Sequence, residues 1–185
     1  RLKMASNENP FGPSPLAVAA MQATLDSSHL YPDDDTNLLR EKLAEHHGVE
    51  ADHIVVTAGS TSLLELICRT LLAPGLNAVT SERSFIVYPI AVRTAGGQLI
   101  EAPATENGFD LEAVLAAINR NTRLVFLANP NNPTGTLLEA GQIDEFLTRV
   151  PENVIVVLDE AYYDFAQYFA AQRRVEYSHG FDYVR

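Results

Sequence analysis

Two short segments in the second half of the chain carry polar side chains directly after apolar runs. The segment NPNNPTG spans Asn129 to Gly135, and VIVVLDEAYYDF, from Val154 to Phe165, passes from five apolar residues into Asp159. Such runs predict strands of a parallel sheet that are buried on both faces. Because ligands of open α/β sheets bind at the carboxyl ends of the strands, Asp159 is placed to hold a cation or to accept a hydrogen bond.

The amides of Asn131 and Asn132 are expected at the same edge, so that two neutral amides and one acid converge on one cleft. Each segment also has a simpler interpretation. Clusters of Pro, Asn and Gly are ordinary turn residues. An Asp after a strand often caps a helix or lies in a solvated loop. The two segments in this order favour a binding site over these alternatives.

A third polar segment, TAGSTS from Thr57 to Ser62, lies between a predicted strand and a predicted helix. A glycine turn into a helix N-terminus can bind an anion, because unpaired N–H groups and the positive end of the helix dipole point the same way. The alternative is a capping box of Ser62 and Glu65, which would close the helix without a ligand. The chain has no GxxxxGK[ST] motif for nucleoside triphosphates and no GxGxxG motif for dinucleotides.

Together these segments resemble the pyridoxal-phosphate aminotransferases of fold type I. The resemblance implies that Asp159 keeps the nitrogen of the pyridine ring protonated. It also implies that Asn132 and Tyr162 hydrogen-bond the ring hydroxyl oxygen. These three are the predicted catalytic residues of the chain.

The same resemblance assigns the remaining cofactor contacts. It implies that Gly59, Ser60 and Thr61 hold the cofactor phosphate and that Phe85 stacks on the ring. The alternative for Phe85 is an ordinary core aromatic. Tyr88 is a second candidate for the stacking role.

The N-terminal segment ASNENPFGPS, from Ala5 to Ser14, and the later tripeptide YPD narrow the resemblance to the histidinol-phosphate aminotransferase family. The likeness covers nearly the whole chain, although Arg83 replaces the proline that is usual before the stacking aromatic. It implies a homodimer in which Tyr31 reaches the partner subunit's cofactor phosphate. It also places Asn7 and Glu8 in a loop on the substrate side. The alternative for Tyr31 is a turn residue beside solvated acids.

Fold-type I enzymes form a Schiff base with a lysine, and the chain has only Lys3 and Lys42. Lys3 precedes the first predicted helix, and Lys42 lies in the exposed pattern NLLREKLAEHHG, so neither is expected at the cleft. The resemblance implies that the reactive lysine and the arginines for the substrate carboxylate follow Arg185. The chain is therefore interpreted as the N-terminal half of the enzyme.

The implied activity is amino transfer between histidinol phosphate and 2-oxoglutarate in histidine biosynthesis. The expected partners are thus a small-molecule amino donor, a 2-oxo acid and a second copy of the chain. Aromatic amino-acid aminotransferases and threonine-phosphate decarboxylases share similar turns and stay alternatives. A non-catalytic phosphate-binding or dimerisation module is the alternative of another class.

Composition limits the remaining possibilities. The 185 residues are 46% hydrophobic and 20% charged, which predicts a soluble globular protein. The formal charge of −11 and the lack of Lys/Arg clusters argue against nucleic-acid binding. Strand-length apolar runs and the lack of a signal-peptide pattern predict no membrane span and a cytoplasmic location. No metal site is predicted, and Cys68, the one cysteine, is expected in the core.

Strand and helix patterns alternate along the chain, which predicts an α/β fold with three layers, α/β/α, around a mostly parallel sheet. Residues 1–35 are interpreted as an N-terminal arm with the first helix, and residues 36–185 as the large cofactor-binding domain. The last stretch, Gln167 to Arg185, has no clear period. The predicted strands are Ile54 to Thr57, Ala78 to Ser81, Gln98 to Ala102, Arg123 to Ala128 and Val154 to Leu158. The predicted helices are Pro15 to Leu25, a segment after Thr36 that ends at His47, Ser62 to Leu72, Phe85 to Arg93, Asp110 to Ile118, and Glu139 to Val150.

Overall fold

A computed structural model describes residues 6–106 and 108–183. Lys3, Ala5 and Arg185 lie outside the described residues. The strands form one parallel sheet with the order β2-β1-β3-β4. They are β1 (Asn77–Ser81), β2 (Gln98–Ala102), β3 (Thr122–Ala128) and β4 (Ile155–Asp159).

Helices cover both faces of the sheet. They are α1 (Pro15–Ala23), α2 (Asn37–His47), α3 (Gly59–Leu71), α4 (Val87–Thr94), α5 (Leu111–Ala117), α6 (Ala140–Arg149) and α7 (Tyr163–Arg173). The chain moves one way from β1 to β2 and the other way from β2 to β3, so right-handed crossovers put α4 and α5 on opposite faces. Helix α3 packs beside α4, and α5 beside α6. The predicted three-layer α/β fold is confirmed.

The two central strands form the middle of the core. Every residue of β1 is buried, and so is every residue of β3 except Arg123. Their side chains meet α3 and α4 on one face and α5 and α6 on the other, as a strand rich in Val, Leu and Phe requires. The four paired strands begin and end within one residue of the predicted bounds.

Two expectations about strands are wrong. The segment Ile54 to Thr57 is extended at Ile54 but joins no ladder among the described residues, and Val55 is 60% exposed. An apolar extended segment becomes a strand only where a neighbour completes its hydrogen bonds. Strand β4 was expected to be buried on both faces. It lies at the sheet edge instead, and Ile155 is 49% exposed.

Helix α2 ends as its sequence predicts but begins differently. Gly48 terminates it with φ of 69°, the left-handed conformation that glycine adopts without strain. Thr36 stands at the N-cap position, yet its side chain makes no capping bond. Asp33 does this instead, because its Oδ2 accepts a hydrogen bond from the backbone N–H of Asn37 at 2.8 Å.

Cys68 lies in α3 and is fully buried, as predicted, which changes the reactivity of its thiol. Burial, assisted by the nearby charge of Glu65, raises the pKa of the thiol to about 11. At pH 8 the thiolate fraction should therefore be about a hundredfold lower than in the unfolded chain. We expect a thiol-reactive disulfide reagent to label native Cys68 at least that much more slowly than the denatured protein. Equal labelling rates in buffer and in denaturant would contradict this burial.

Candidate active site

The carboxyl ends of β3 and β4 bring the two polar segments together. Ala128, the last residue of β3, pairs with Asp159, the last residue of β4. The backbone N–H of Asn129 then donates to the carbonyl oxygen of Asp159 at 3.0 Å. The two polar segments therefore leave the sheet side by side at one edge.

A small cavity of about 80 Å³ lies at this edge. Four separate parts of the chain form its walls: the start of α3, the turn after β1, the loop after β3 and the end of β4. Its polar and aromatic walls are Ser60, Phe85, Asn132, Asp159 and Tyr162. The structure thus brings together five of the residues that the sequence singled out.

Asp159 is the charged residue of this cavity, and its carboxylate is half-buried. The hydroxyl of Tyr88 donates to Oδ2 at 2.9 Å, and the backbone N–H of Ala161 donates to Oδ1 at 3.2 Å. Within residues 6–106 and 108–183, no Lys, Arg or His nitrogen lies within 4 Å of this carboxylate. Since a carboxylate has about four acceptor positions, it keeps capacity for a cationic donor from a ligand.

Tyr162 joins the cavity to the N-terminal segment. Its hydroxyl oxygen accepts hydrogen bonds from Asn7 Nδ2 at 2.7 Å and from Asn132 Nδ2 at 3.4 Å. A phenol oxygen that accepts from two amides still has its own proton to donate. Tyr162 can therefore present a hydrogen-bond donor to an oxygen atom placed in the cavity.

A second, larger cavity of about 410 Å³ shares this wall. Asn132 and Tyr162 line both cavities. On the far side the larger cavity is bounded by Asn7 and Glu8 of the N-terminal segment and by the aromatic rings of α7, Phe165 and Phe169. The loop that the sequence placed on the substrate side thus lies beside the smaller cavity.

The first turn of α3 lies at the same edge of the sheet, beside the small cavity. Gly59 has φ of +83°, a conformation that residues with a side chain rarely adopt, and it turns the chain into the helix. Helix α3 begins at Gly59, so Ser62 lies inside the first turn and the capping-box interpretation is wrong. Within the described part of the chain no side chain caps this end, and helix geometry leaves its first N–H groups without acceptors inside the helix. Ser60 lines the small cavity, whereas Gly59 and Thr61 are exposed in the same turn.

Of the three asparagines in NPNNPTG, only Asn132 lines the cavity that holds Asp159. The side chain of Asn131 is buried in the loop and does not join the acid. Its Nδ2 donates to the carbonyl of Arg83 at 3.1 Å and to the hydroxyl of Thr134 at 2.8 Å, and its Oδ1 accepts from Ser84 Oγ at 3.0 Å. Asn131 therefore ties the loop after β3 to the turn that carries Phe85.

Phe85 is half-buried and lines the cavity, while Tyr88 does not. The expectation of Tyr88 as a second stacking candidate is wrong, because its ring is fully buried beneath the site. Its bond to Asp159 is a contact that sequence reasoning missed. The spacing of three residues from Phe85 in a helical pattern was the available signal, since such residues share a helix face.

Arg83, which replaces the usual proline, has a left-handed backbone with φ of 56°. Proline cannot adopt this angle, because its ring fixes φ near −65°. Its guanidinium Nη1 donates to the carbonyl of Glu106 at 3.2 Å. A proline at this position would therefore require a different turn before Phe85.

Tyr31 and Lys42 lie away from both cavities. The ring of Tyr31 is 98% exposed. Lys42 is exposed on α2 and pairs with Glu45 at 2.8 Å. Among the described residues, therefore, no lysine of this chain faces the site.

Residues 1–183 match the protein family described as aminotransferase class I and II, so the chain belongs to this family. This confirms the family resemblance that the polar segments indicated.

Several relatives are named histidinol-phosphate aminotransferase 2, among them two Pseudomonas proteins. The protein from Pseudomonas fluorescens strain Pf0-1 is 54% identical over 166 residues, which cover 90% of this chain and 45% of that protein. The protein from Pseudomonas aeruginosa is 50% identical over the same shares. The chain thus spans a little under half the length of these relatives.

Solved structures of aminotransferases share this fold. Histidinol-phosphate aminotransferase from Sinorhizobium meliloti, determined in complex with pyridoxal-5′-phosphate, superposes with a TM-score of 0.82 at 34% identity. The match covers 86% of this chain and 44% of that one. Alanine aminotransferase from Pyrococcus furiosus gives 0.73 at 27% identity, over 83% of this chain and 42% of that one.

The Asn131 network predicts a stability effect. Replacing Asn131 by Ala removes three part-buried hydrogen bonds, to Arg83, Ser84 and Thr134. We expect the free energy of unfolding, measured in urea on the full-length protein, to fall by about 2 to 3 kcal/mol. The exposed Asn121 is the matched control, and Asn121→Ala should change it by less than about 0.5 kcal/mol. Similar losses in both variants would mean that the network does not hold the loop.

Proposed function

We propose that the full-length protein is a pyridoxal-phosphate-dependent aminotransferase that exchanges an amino group between histidinol phosphate and 2-oxoglutarate. The observation that carries the proposal is the half-buried carboxylate of Asp159, which faces a cavity beside an aromatic ring and has no cationic partner among the described residues. Histidinol-phosphate aminotransferases at 50–54% identity support this substrate.

The residues at the cavity fit the chemical groups of pyridoxal phosphate. The flat face of Phe85 suits an aromatic ring, and Asp159 suits a protonated ring nitrogen as its ion-pair partner. Tyr162 and Asn132 carry the donors for a ring hydroxyl oxygen. When bound, the cofactor supplies a ring that withdraws electrons from the substrate carbon that loses its proton.

The open start of α3 suits the phosphate. Backbone N–H groups and the helix dipole attract a dianion, and the hydroxyls of Ser60 and Thr61 add donors. Gly59 lets the chain make this turn. Because no described side chain caps this end, a phosphate would meet N–H groups that lack acceptors in the helix.

Asp159 and Tyr162 then have separate tasks in the reaction. The carboxylate of Asp159 would hold a proton on the ring nitrogen of the bound cofactor. Tyr162, held by Asn7 and Asn132, orients the ring through its hydroxyl group. Both tasks matter most when negative charge develops on the substrate, which is when fixed charges and dipoles contribute most to rate.

The larger cavity is proposed as the substrate side. It is bounded by the polar side chains of Asn7 and Glu8 and by the rings of Phe165 and Phe169, and it opens beside Tyr162. The names of the relatives favour histidinol phosphate over an aromatic amino acid or threonine phosphate as the donor. Family membership favours an enzyme over a non-catalytic module.

The reactive lysine is proposed to come from outside the described residues, because Lys42 is paired on the surface of α2.

A homodimer is also proposed. Helix α1 has no buried residue, and Tyr31 projects fully into solvent, as expected for an arm that packs on a second subunit. The division at residue 35 and the cytoplasmic location stay predictions. No helix in the described part of the chain is long and apolar enough to cross a bilayer.

Replacing Asp159 by Asn tests the assignment of the cofactor site. The variant keeps the shape of the side chain but removes the charge that pairs with the ring nitrogen. We expect kcat/KM of the full-length enzyme to fall by roughly two to four decades, or about 3 to 5 kcal/mol of transition-state stabilisation. Asp164→Asn, at an exposed acid in the first turn of α7, is the control and should stay within about threefold of the wild-type value. An Asp159→Asn enzyme that is equally active would exclude this role.

Mixing two inactive variants tests the proposed contribution of Tyr31 to a partner subunit. Tyr31→Phe removes the phenol that would reach the neighbouring phosphate, and a second variant lacks the reactive lysine. After subunit exchange, mixed dimers should carry one intact site, and about a quarter of wild-type activity should return. Exchange without any recovery would show that Tyr31 acts within its own chain or not at all.

A further inference from the structure

Tyr88 is the largest fully buried side chain next to the proposed site, and no role has been assigned to it. It lies in the first turn of α4 and stacks on Phe126 of β3, with ring centroids 4.8 Å apart and planes at 11°. Its edge meets Phe85 at 5.7 Å, with planes at 88°. The tyrosine therefore backs the aromatic ring that lines the cavity.

The polar end of Tyr88 contacts the acid of the same cavity. Its hydroxyl donates to Asp159 Oδ2 at 2.9 Å across 71 residues of sequence. Burial, the charge of Asp159 and this hydrogen bond together hold the pKa of the phenol far above its usual range. Tyr88 thus remains protonated and donates throughout the working pH range of an enzyme.

A hydrogen bond from a buried, rigid ring fixes the carboxylate more closely than a bond from solvent can. The ring of Tyr88 cannot move, because Phe126 lies against one face and the core encloses the rest. Oδ2 is therefore held from within the protein, and the backbone N–H of Ala161 holds Oδ1. Asp159 also lines the cavity, so the acceptor positions that these two bonds leave can serve a ligand there.

We propose that Tyr88 is a positioning residue that holds Asp159 for the ring nitrogen of the cofactor and supports Phe85 from behind. This inference rests on the proposed function, since it assigns the reason for which Asp159 must be held. Tyr88 contacts neither cofactor nor substrate. Its effect reaches the bound ring through Asp159 and Phe85.

The experiment compares two ligands of the full-length apoprotein. One is pyridoxal phosphate. The other is its deaza analogue, in which a C–H group replaces the ring nitrogen, so that Asp159 has no ring proton to hold. Dissociation constants for both are measured by fluorescence for the wild type, Tyr88→Phe and Asp159→Asn. The ratio of the two dissociation constants is the preference for pyridoxal phosphate. It isolates the contact at the ring nitrogen from other contacts with the cofactor.

Tyr177→Phe is the matched control. The hydroxyl of Tyr177 donates to the carboxylate of Glu160 at 2.6 Å, next in sequence to Asp159. Burial, and then the bond to Glu160, raises the pKa of this phenol as well. The two variants therefore remove the same group from the same kind of contact, and only one of them touches Asp159.

We expect Tyr88→Phe to weaken the binding of pyridoxal phosphate about three- to tenfold and that of the deaza analogue less than twofold. Tyr177→Phe should leave the preference for pyridoxal phosphate at its wild-type value. In the Asp159→Asn background, adding Tyr88→Phe should change the preference no further, because the group that it positions is gone. Tyr88→Phe keeps the aromatic ring that stacks on Phe126. Circular dichroism of each apoprotein checks that the variants fold.

Equal weakening of both ligands by Tyr88→Phe, or no weakening of either, would overturn the positioning role. So would a further loss of preference on adding Tyr88→Phe to Asp159→Asn. If Asp159→Asn itself binds both ligands with the wild-type preference, the proposed role of Asp159 fails as well. If Asp159→Asn loses the preference for pyridoxal phosphate while Tyr88→Phe keeps the wild-type preference, only the inference about Tyr88 is rejected.

Discussion

The parallel pairing of β3 with β4 is the constraint on which the site depends. Ala128 stands opposite Asp159, and the next backbone N–H on the β3 side bonds the carbonyl of Asp159. A shift of one residue would turn the side chain of Asp159 to the other face of the sheet. The side chains of Val156, Val157 and Leu158 oppose that shift, because they pack against the hydrophobic core and would lose these contacts. The packing of the hydrophobic core therefore determines the position of the Asp159 carboxylate.

Much of this arrangement could be predicted from the sequence. The apolar runs of β1 to β4 are distinct, and the acid at the end of β4 follows its run directly, so strand bounds and the location of Asp159 were accurate. The rule that parallel strands present their carboxyl ends at one edge predicted that Asn132 lies near Asp159, and the family resemblance added Phe85 and Tyr162. Local patterns were sufficient here because each residue stands next to the strand that places it.

The rest depends on contacts that local patterns do not encode. Nothing in NPNNPTG says which amide faces the acid, and the answer comes from Ser84 and Arg83, nearly fifty residues earlier. The segment at Ile54 has the composition of a strand, but pairing requires a neighbour that the described chain does not place beside it. The spacing from Phe85 indicates that Tyr88 lies near the site, but only the fold shows that its hydroxyl reaches Asp159 across 71 residues.

The position of β4 at the sheet edge has a practical consequence. Beyond its pairing with β3, the strand has a second row of backbone N–H and C=O groups that no other described strand meets, and Ile155 is half-exposed beside it. Such an edge accepts an extended segment from any source. Within a longer polypeptide a following strand can cover it. Where nothing covers it, chains can add to one another strand by strand, so that β4, like the opposite edge strand β2, is a place where self-association at high concentration can begin.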